Sequence, residues 1–210
     1  MNRLVRGVLA AAVLGAAPAV PVAVDAHFIL LEPASWLQVD QRGDPQKLAP
    51  CGGTTANPGT PSNAVTTLQG GQTIKLRVQE TIYHPGHYRV ALAVTSRAEL
   101  PPDPEVVTRD TPKGEWSVSA AIQNPPEVPV LADGLFPHTT RPTAPFEADI
   151  TLPNINCEKC TLQVIQFMAE HGRNRDGDFS YHHCADLKIT ADASKPIDTR
   201  WPGQTGTAQQ

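Results

Sequence analysis

His27 directly follows a stretch that has the features of a secretory signal peptide. Residues 1–26 begin with a short basic segment, continue as an apolar run of Ala, Val and Leu, and end in a small-x-small tripeptide at 24–26. This pattern is typical of a signal-peptidase site and predicts cleavage before His27, with Ala19 and Ala23 as alternative positions. A mature N-terminal histidine would offer its free α-amine and a ring nitrogen to one metal ion.

A second histidine, His84, is placed to complete such a site. It lies in Tyr83-His84-Pro85-Gly86-His87, a tight turn between two strand-like segments. The α-amine, the His27 ring and the His84 ring would then supply three nitrogen donors in a T-shaped plane. Such a set suits Cu(II), which favours tetragonal geometry, better than Zn(II), which prefers a tetrahedral set. The pattern predicts one copper ion with His27 and His84 as ligands.

The segments that must position these histidines are short and strand-like. The chain contains 21 Pro and 15 Gly, and about seven segments show the alternation or composition of strands. We expect an all-β domain over 27–191, an immunoglobulin or fibronectin type III-like β-sandwich with long loops, in which turns converge at each end. Long stretches are expected to be loops or, at the C-terminus, a flexible tail: 34–63, 95–115, 124–145 and 192–210.

The four cysteines favour disulfide bonds. An even number of cysteines in an exported chain indicates two bridges, and four cysteines allow three pairings. One possibility is a local Cys157–Cys160 loop with a long-range Cys51–Cys184 bridge. A CxxC pair can also bind zinc or exchange disulfides, but it lacks here the second pair that a structural zinc site needs.

Composition limits the partners and the location. The formal net charge of −4 gives no electrostatic reason to expect nucleic acid or an anionic membrane as a partner. The only long apolar stretch is the signal segment, which Pro18 and Pro21 interrupt, so we expect no membrane anchor. We therefore expect a secreted or periplasmic monomer after cleavage between Ala26 and His27.

Three short motifs occur in a recognisable order along the chain. They are the start His27-Phe28, the turn His84-Pro85-Gly86-His87-Tyr88 and the late segment Tyr181-His182-His183-Cys184-Ala185-Asp186. In this order the chain resembles lytic polysaccharide monooxygenases, and more closely an uncharacterised bacterial branch described as polysaccharide-monooxygenase-like. The resemblance implies a fibronectin-like sandwich with a histidine brace that holds copper.

The resemblance also implies roles for individual residues. His27 matches the N-terminal brace ligand, His84 the second ligand, and Tyr181 the aromatic residue that restricts the axial position of the metal. It supports the Cys51–Cys184 bridge. A polar residue that positions oxygen or peroxide is also implied, with four candidates: Gln163, Gln166, Glu170 and His171.

Several histidines depart from the family pattern. His87 is an extra histidine in the turn and is the alternative second ligand. His182 and His183 lie beside Tyr181 and are interpreted as plain strand residues, with a second metal site or substrate contacts as alternatives.

Two functions from different classes follow from these residues. The first is a copper-dependent enzyme that cleaves a polysaccharide oxidatively and needs an electron donor. The second is a periplasmic or extracellular protein that captures or delivers copper without catalysis. A secreted sandwich without metal is the third possibility, and no acid–base pair, nucleophile elbow or P-loop favours another chemistry.

Overall fold

Strands make up nearly all of the regular secondary structure in residues 27–206, the part of the chain that the computed structural model describes. The predicted signal peptide, 1–26, and residues 207–210 lie outside the described residues. One 3-10 turn, Arg97–Glu99, accompanies twelve strands: β1 His27–Glu32, β2 Leu37–Gln38, β3 Thr60–Pro61, β4 Val65–Gln69, β5 Thr73–Ile82, β6 Gly86–Ala93, β7 Val106–Thr111, β8 Gly114–Ala120, β9 Val130–His138, β10 Phe146–Thr151, β11 Cys157–Met168 and β12 Ser180–Thr190.

Two sheets pack face to face. One has the strand order β1-β5-β10, and the other has the order β4-β12-β11-β6-β9. Strand β5 carries the alternation that the sequence shows, with Leu76 and Val78 buried. These side chains pack with those of β6, β11 and β12 in the core between the sheets. The predicted all-β sandwich is confirmed.

The larger sheet is buried on both faces, so every side chain of its central strands belongs to one of two environments. On β12, Tyr181, His183 and Ala185 face the core between the sheets. His182 and Cys184 face the opposite side, which we call the outer face; loops and a second hydrophobic cluster cover it. Alternation along a strand therefore decides which titratable groups can reach the inner core.

The four cysteines form one long-range and one local disulfide bond. Cys51 is bonded to Cys184, which ties the loop after β2 to the outer face of β12 across 133 residues. Cys157 is bonded to Cys160 at the start of β11. By the chain-entropy model, the long-range bridge stabilises the fold by about 5 kcal/mol.

Three stretches that the sequence predicted as loops contain strands. The expected loop 34–63 contains only the two-residue strands β2 and β3, which pair with each other. The expected loop 95–115 contains β7, which pairs with β8 as an antiparallel hairpin. The expected loop 124–145 contains β9, which forms the edge of the larger sheet beside β6. Register shifts interrupt the pairing of β9, Phe136 has a positive φ, and Pro137 removes one donor, so the period-two alternation that identifies a strand is lost.

The segment after residue 191 is attached to the sandwich over its described part, unlike the flexible tail that composition predicted. The Asn154 amide donates hydrogen bonds to the carbonyls of Asp192, Lys195 and Pro196. Trp201 is only 3% exposed and belongs to the hydrophobic core. One buried aromatic side chain and an asparagine that satisfies several carbonyls hold a segment that is otherwise polar.

Replacement of Trp201 tests this attachment. Trp201→Ala is expected to lower the free energy of unfolding by about 3–5 kcal/mol, because it leaves a cavity in the core. The exposed neighbour provides a control, since Arg200→Ala should leave stability nearly unchanged. Urea unfolding measures both, and equal small effects would mean that the segment does not contribute to the core.

Candidate metal centre

His27 is fixed at the first position of strand β1. Strand β1 pairs with β5 so that His27 lies opposite Ile82, and a register shift separates His27 from Phe28. Such a bulge re-aims a side chain relative to its neighbour. The His27 ring packs edge-on against the Tyr181 ring, with centroids 5.3 Å apart, and the residue is 1% exposed.

The His27 ring is also held by a carboxylate. Its Nε2 lies 2.7 Å from Asp44 Oδ2. Burial would raise the pKa of Asp44, but the hydrogen bond and charge of His27, with Lys47 and Arg42 nearby, outweigh burial and lower it. The carboxylate therefore favours a proton on Nε2. The ring atom that can close a chelate with the nitrogen of the same residue is Nδ1, and a carboxylate on the other ring nitrogen is the usual support of a metal-bound histidine.

His84 lies in the turn that joins β5 to β6, two residues after the strand partner of His27. Its ring meets the His171 ring edge-on at a centroid distance of 4.6 Å. His84 is 8% exposed. The register of β1 and β5 therefore brings the turn that carries His84 to the same end of the sandwich as His27.

His87 occupies a different environment from His84. It belongs to β6, pairs with Phe167 on β11 and packs against that ring at 5.2 Å. Its neighbour Tyr88 is in the core between the sheets, so alternation places His87 on the outer face. Burial there lowers the pKa of His87.

The four polar candidates named from the sequence also lie in different environments. Gln166 is completely buried and lies between Tyr88 and Tyr181 in the strand register, on the core side of β11. Gln163 donates to the Pro50 carbonyl beside the long-range disulfide. Glu170 forms an exposed ion pair with Arg109. Gln166 and His171 are thus the two candidates near the His27 and His84 side chains.

Sequence reasoning also missed Glu80 and His138, which contact Gln166 and the histidine turn, respectively. Glu80 has a side chain only 1% exposed, and its Oε1 lies 2.6 Å from Gln166 Nε2 and 2.9 Å from His138 Nε2. Tyr88 donates to the same oxygen at 3.0 Å, and burial, with the charge of Glu80, raises the pKa of Tyr88 well above its ordinary value. A charged residue at an inward position of β5 was the available signal.

The His138 ring is held by several acceptors. Burial alone would lower the pKa of His138. The Glu80 carboxylate and the backbone of Phe136 and His84 outweigh burial and raise it. This favours the protonated ring, whose charge the Glu80 carboxylate balances.

The paired histidines on β12 have structural partners. His182 faces outward, with Nε2 2.8 Å from Asp103 Oδ1 and Nδ1 3.1 Å from the Lys47 carbonyl oxygen. His183 faces inward and its Nε2 lies 2.9 Å from the Phe28 carbonyl oxygen. Burial lowers the pKa of His183 to about 4, so this ring is neutral and donates from Nε2 at neutral pH.

The donor set that these residues offer is small. Within residues 27–206, no group of three or more His, Cys, Asp or Glu side chains is arranged to hold a metal ion. The set predicted from sequence needs two side chains only, since the third donor is the amine that cleavage before His27 would release. A carboxylate on Nε2 of His27 and an aromatic ring on one side of it fit that donor set.

Comparisons with known proteins find similarity among solved structures only. No protein-family model matches the chain, and no curated protein matches it. Among solved structures it is similar to a lytic polysaccharide monooxygenase AA15 from Thermobia domestica in the Cu(I) state, at 16% identity and a TM-score of 0.36. The similarity spans 61% of this chain and 65% of that one, which is less than two thirds of its length.

No helix in the described range 27–206 is both long enough and apolar enough to cross a bilayer.

The neutral state of His183 predicts a pH dependence of stability. An unfolded histidine has a pKa near 6.5 and the folded one about 4. The unfolded chain therefore binds more protons between these values, and the free energy of unfolding should fall by about 3 kcal/mol as the pH drops from 6.5 to 4.

His183→Gln checks this assignment, because Gln keeps a donor near the Nε2 position but does not titrate. Urea unfolding at pH 7 and pH 4.5 should show a pH-dependent loss in this variant that is about 2 kcal/mol smaller than in the parent. If both proteins lose the same amount over this interval, protonation of His183 is not the cause.

Proposed function

We propose that the mature chain is a secreted copper protein whose single Cu ion is held by His27 and His84. The α-amine and Nδ1 of His27 act as a chelate, and the His84 ring is the third nitrogen donor. Tyr181 restricts the axial side. The activity that we propose is oxidative cleavage of a polysaccharide, with an external electron donor.

The contact of His27 with Asp44 and Tyr181 is the observation that supports this proposal most directly. A histidine at a flexible N-terminus would lose much of its chelating advantage, because ordering it costs conformational entropy. Here the ring is buried at the head of a paired strand, with Asp44 on one nitrogen and the Tyr181 ring in edge-on contact with it. The second ring nitrogen is therefore oriented by the fold.

The donor chemistry favours copper over zinc. Two imidazoles and an amine in one plane suit the tetragonal preference of Cu(II), which also has the highest affinity of the divalent first-row ions. The α-amine has an ordinary pKa of about 8 and must lose its proton to bind. Copper affinity should accordingly weaken as the pH falls below that value.

Copper bound in such a plane would supply one-electron redox chemistry with oxygen or peroxide. The chain itself would orient the chelate through Asp44, exclude an axial ligand with the Tyr181 ring, and present the Gln166 carboxamide beside that ring. Buried positions at Gln166 and Tyr181 keep bulk water from this side of the site.

Copper capture or delivery without catalysis is the second candidate. The most exposed large apolar side chains within residues 27–206 are aliphatic, namely Val65, Val107, Val118, Ile122 and Val128. Sugar rings stack on aromatic faces, so this surface composition favours a carrier over an enzyme that docks on a polymer.

A product assay separates the two candidates. The copper-loaded mature protein is incubated with ascorbate, with and without peroxide, on chitin, cellulose and xylan, and oxidised oligosaccharides are measured by mass spectrometry. Oxidised products that disappear in His84→Ala support the enzyme. Stoichiometric transfer of copper to an acceptor chelator, without oxidised products on the whole panel, supports the carrier.

Replacement of each turn histidine by alanine tests the ligand assignment. In electron paramagnetic resonance of the Cu(II)-loaded mature protein, His84→Ala is expected to change the spectrum and to weaken Cu(II) binding at least about tenfold, because one of three donors is lost. His87→Ala is the matched control and should leave the spectrum unchanged. The reverse result would make His87 the ligand.

Asp44 should matter through the His27 ring. Asp44→Asn is expected to weaken Cu(II) affinity about 10–100-fold, since it removes the carboxylate that orients and polarises the imidazole. Competition titration against a chelator measures this, with the exposed Asp149→Asn on β10 as control. Equal affinities for the two variants would remove Asp44 from the account of the site.

A further inference from the structure

A carboxylate is buried in the core at the same end of the sandwich as His27. Glu80 lies on β5 opposite Phe28, the residue that follows His27. Its side chain is 1% exposed. A carboxylate in such a place is costly unless hydrogen bonds or an opposite charge compensate for the loss of water.

The side-chain contacts of this carboxylate converge on one of its oxygens. Glu80 Oε1 accepts from Tyr88 Oη at 3.0 Å and from Gln166 Nε2 at 2.6 Å, and it lies 2.9 Å from His138 Nε2. These three partners come from three different strands of the larger sheet, β6, β11 and β9. Glu80 therefore links the two sheets at this end of the core.

The carboxylate decides how the Gln166 amide is oriented. An ionised carboxylate can only accept hydrogen bonds, so it must face the NH₂ group of Gln166 and not its oxygen. The Gln166 oxygen, Oε1, is then turned away from Glu80. Gln166 lies beside Tyr181 in the strand register, and the Tyr181 ring contacts the His27 ring.

Gln166 Oε1 and Glu80 Oε2 are among the buried side-chain atoms of residues 27–206 that have no hydrogen-bond partner. Buried acceptors are normally satisfied, by protein or by an ordered water molecule. A water molecule can donate a hydrogen bond to an acceptor such as Gln166 Oε1.

We propose that Glu80, held by Tyr88 and His138, is a positioning residue that orients the Gln166 carboxamide, so that its oxygen accepts a hydrogen bond from a water molecule beside the metal centre. This inference rests on the proposed copper site for its functional meaning. The orientation of Gln166 itself does not require copper.

The orientation is tested first in the metal-free mature protein. The two side-chain amide protons of Gln166 are followed by ¹⁵N-edited NMR during exchange with D₂O. A charge-assisted bond to Glu80 predicts slow exchange in the parent protein, and Glu80→Gln should accelerate it at least about tenfold. Exchange in the parent as fast as that of exposed glutamines overturns the proposal, even if the variant does not fold. So does a rate that Glu80→Gln leaves unchanged.

The effect on the metal centre is tested separately. The electron paramagnetic resonance spectrum of the Cu(II)-loaded protein should change in Glu80→Gln and remain unchanged in Glu147→Gln. Glu147 is an exposed carboxylate that pairs with Arg77, a residue on the same strand as Glu80. An unchanged spectrum in Glu80→Gln, or equal changes in both variants, overturns the link to the metal centre. Failure of the parent to bind copper in this way would contradict the proposed function and leave the exchange result intact.

Discussion

Strand β1 pairs with β5 on one side. On its other side lies the segment after β2, and this segment sets the position of His27. The Phe28 amide donates to Gln46 Oε1 at 3.1 Å, and the Phe28 carbonyl accepts from His183 Nε2. Gly43 has a φ of 101°, and a Cβ there would lie 1.9 Å from the Phe28 oxygen, so only glycine allows this approach. The segment after β2 thus takes the place of a neighbouring strand.

This arrangement explains why Asp44 reaches His27. The same segment that satisfies the Phe28 backbone carries Asp44 next to the His27 ring. The long-range disulfide ties the chain just beyond this segment to β12, which carries Tyr181. Together these contacts fix the orientation of His27.

The two faces of the larger sheet divide the histidines into different roles. His183 faces inward, remains neutral and holds β1, whereas His182 faces outward and holds two loops. His87 faces outward with Phe167. Copper ligation is proposed only for the histidines at the end of the sandwich, where a strand begins or a turn closes and the ring is not confined within a sheet.

Much of the fold could be predicted from local patterns, because β5, β11 and β12 alternate and their turns contain Gly or Pro. The tail and β9 could not be predicted, since Trp201 and Asn154 act across the chain and β9 is irregular. In the proposed site, His27 and His84 remain predictions from motif and position, and the structure places both at the same end of the sandwich. Asp44 and Glu80 were not predicted, because their importance depends on contacts that only the folded chain creates.

The central claim is that the free amine of His27 is part of the copper site. The most direct measurement compares Cu(II) affinity for two purified proteins, one beginning at His27 and one that retains Ala26. We predict that the retained residue weakens Cu(II) binding at least about 100-fold, because it replaces a basic amine with a peptide nitrogen. Equal affinities and equal electron paramagnetic resonance spectra would contradict this account.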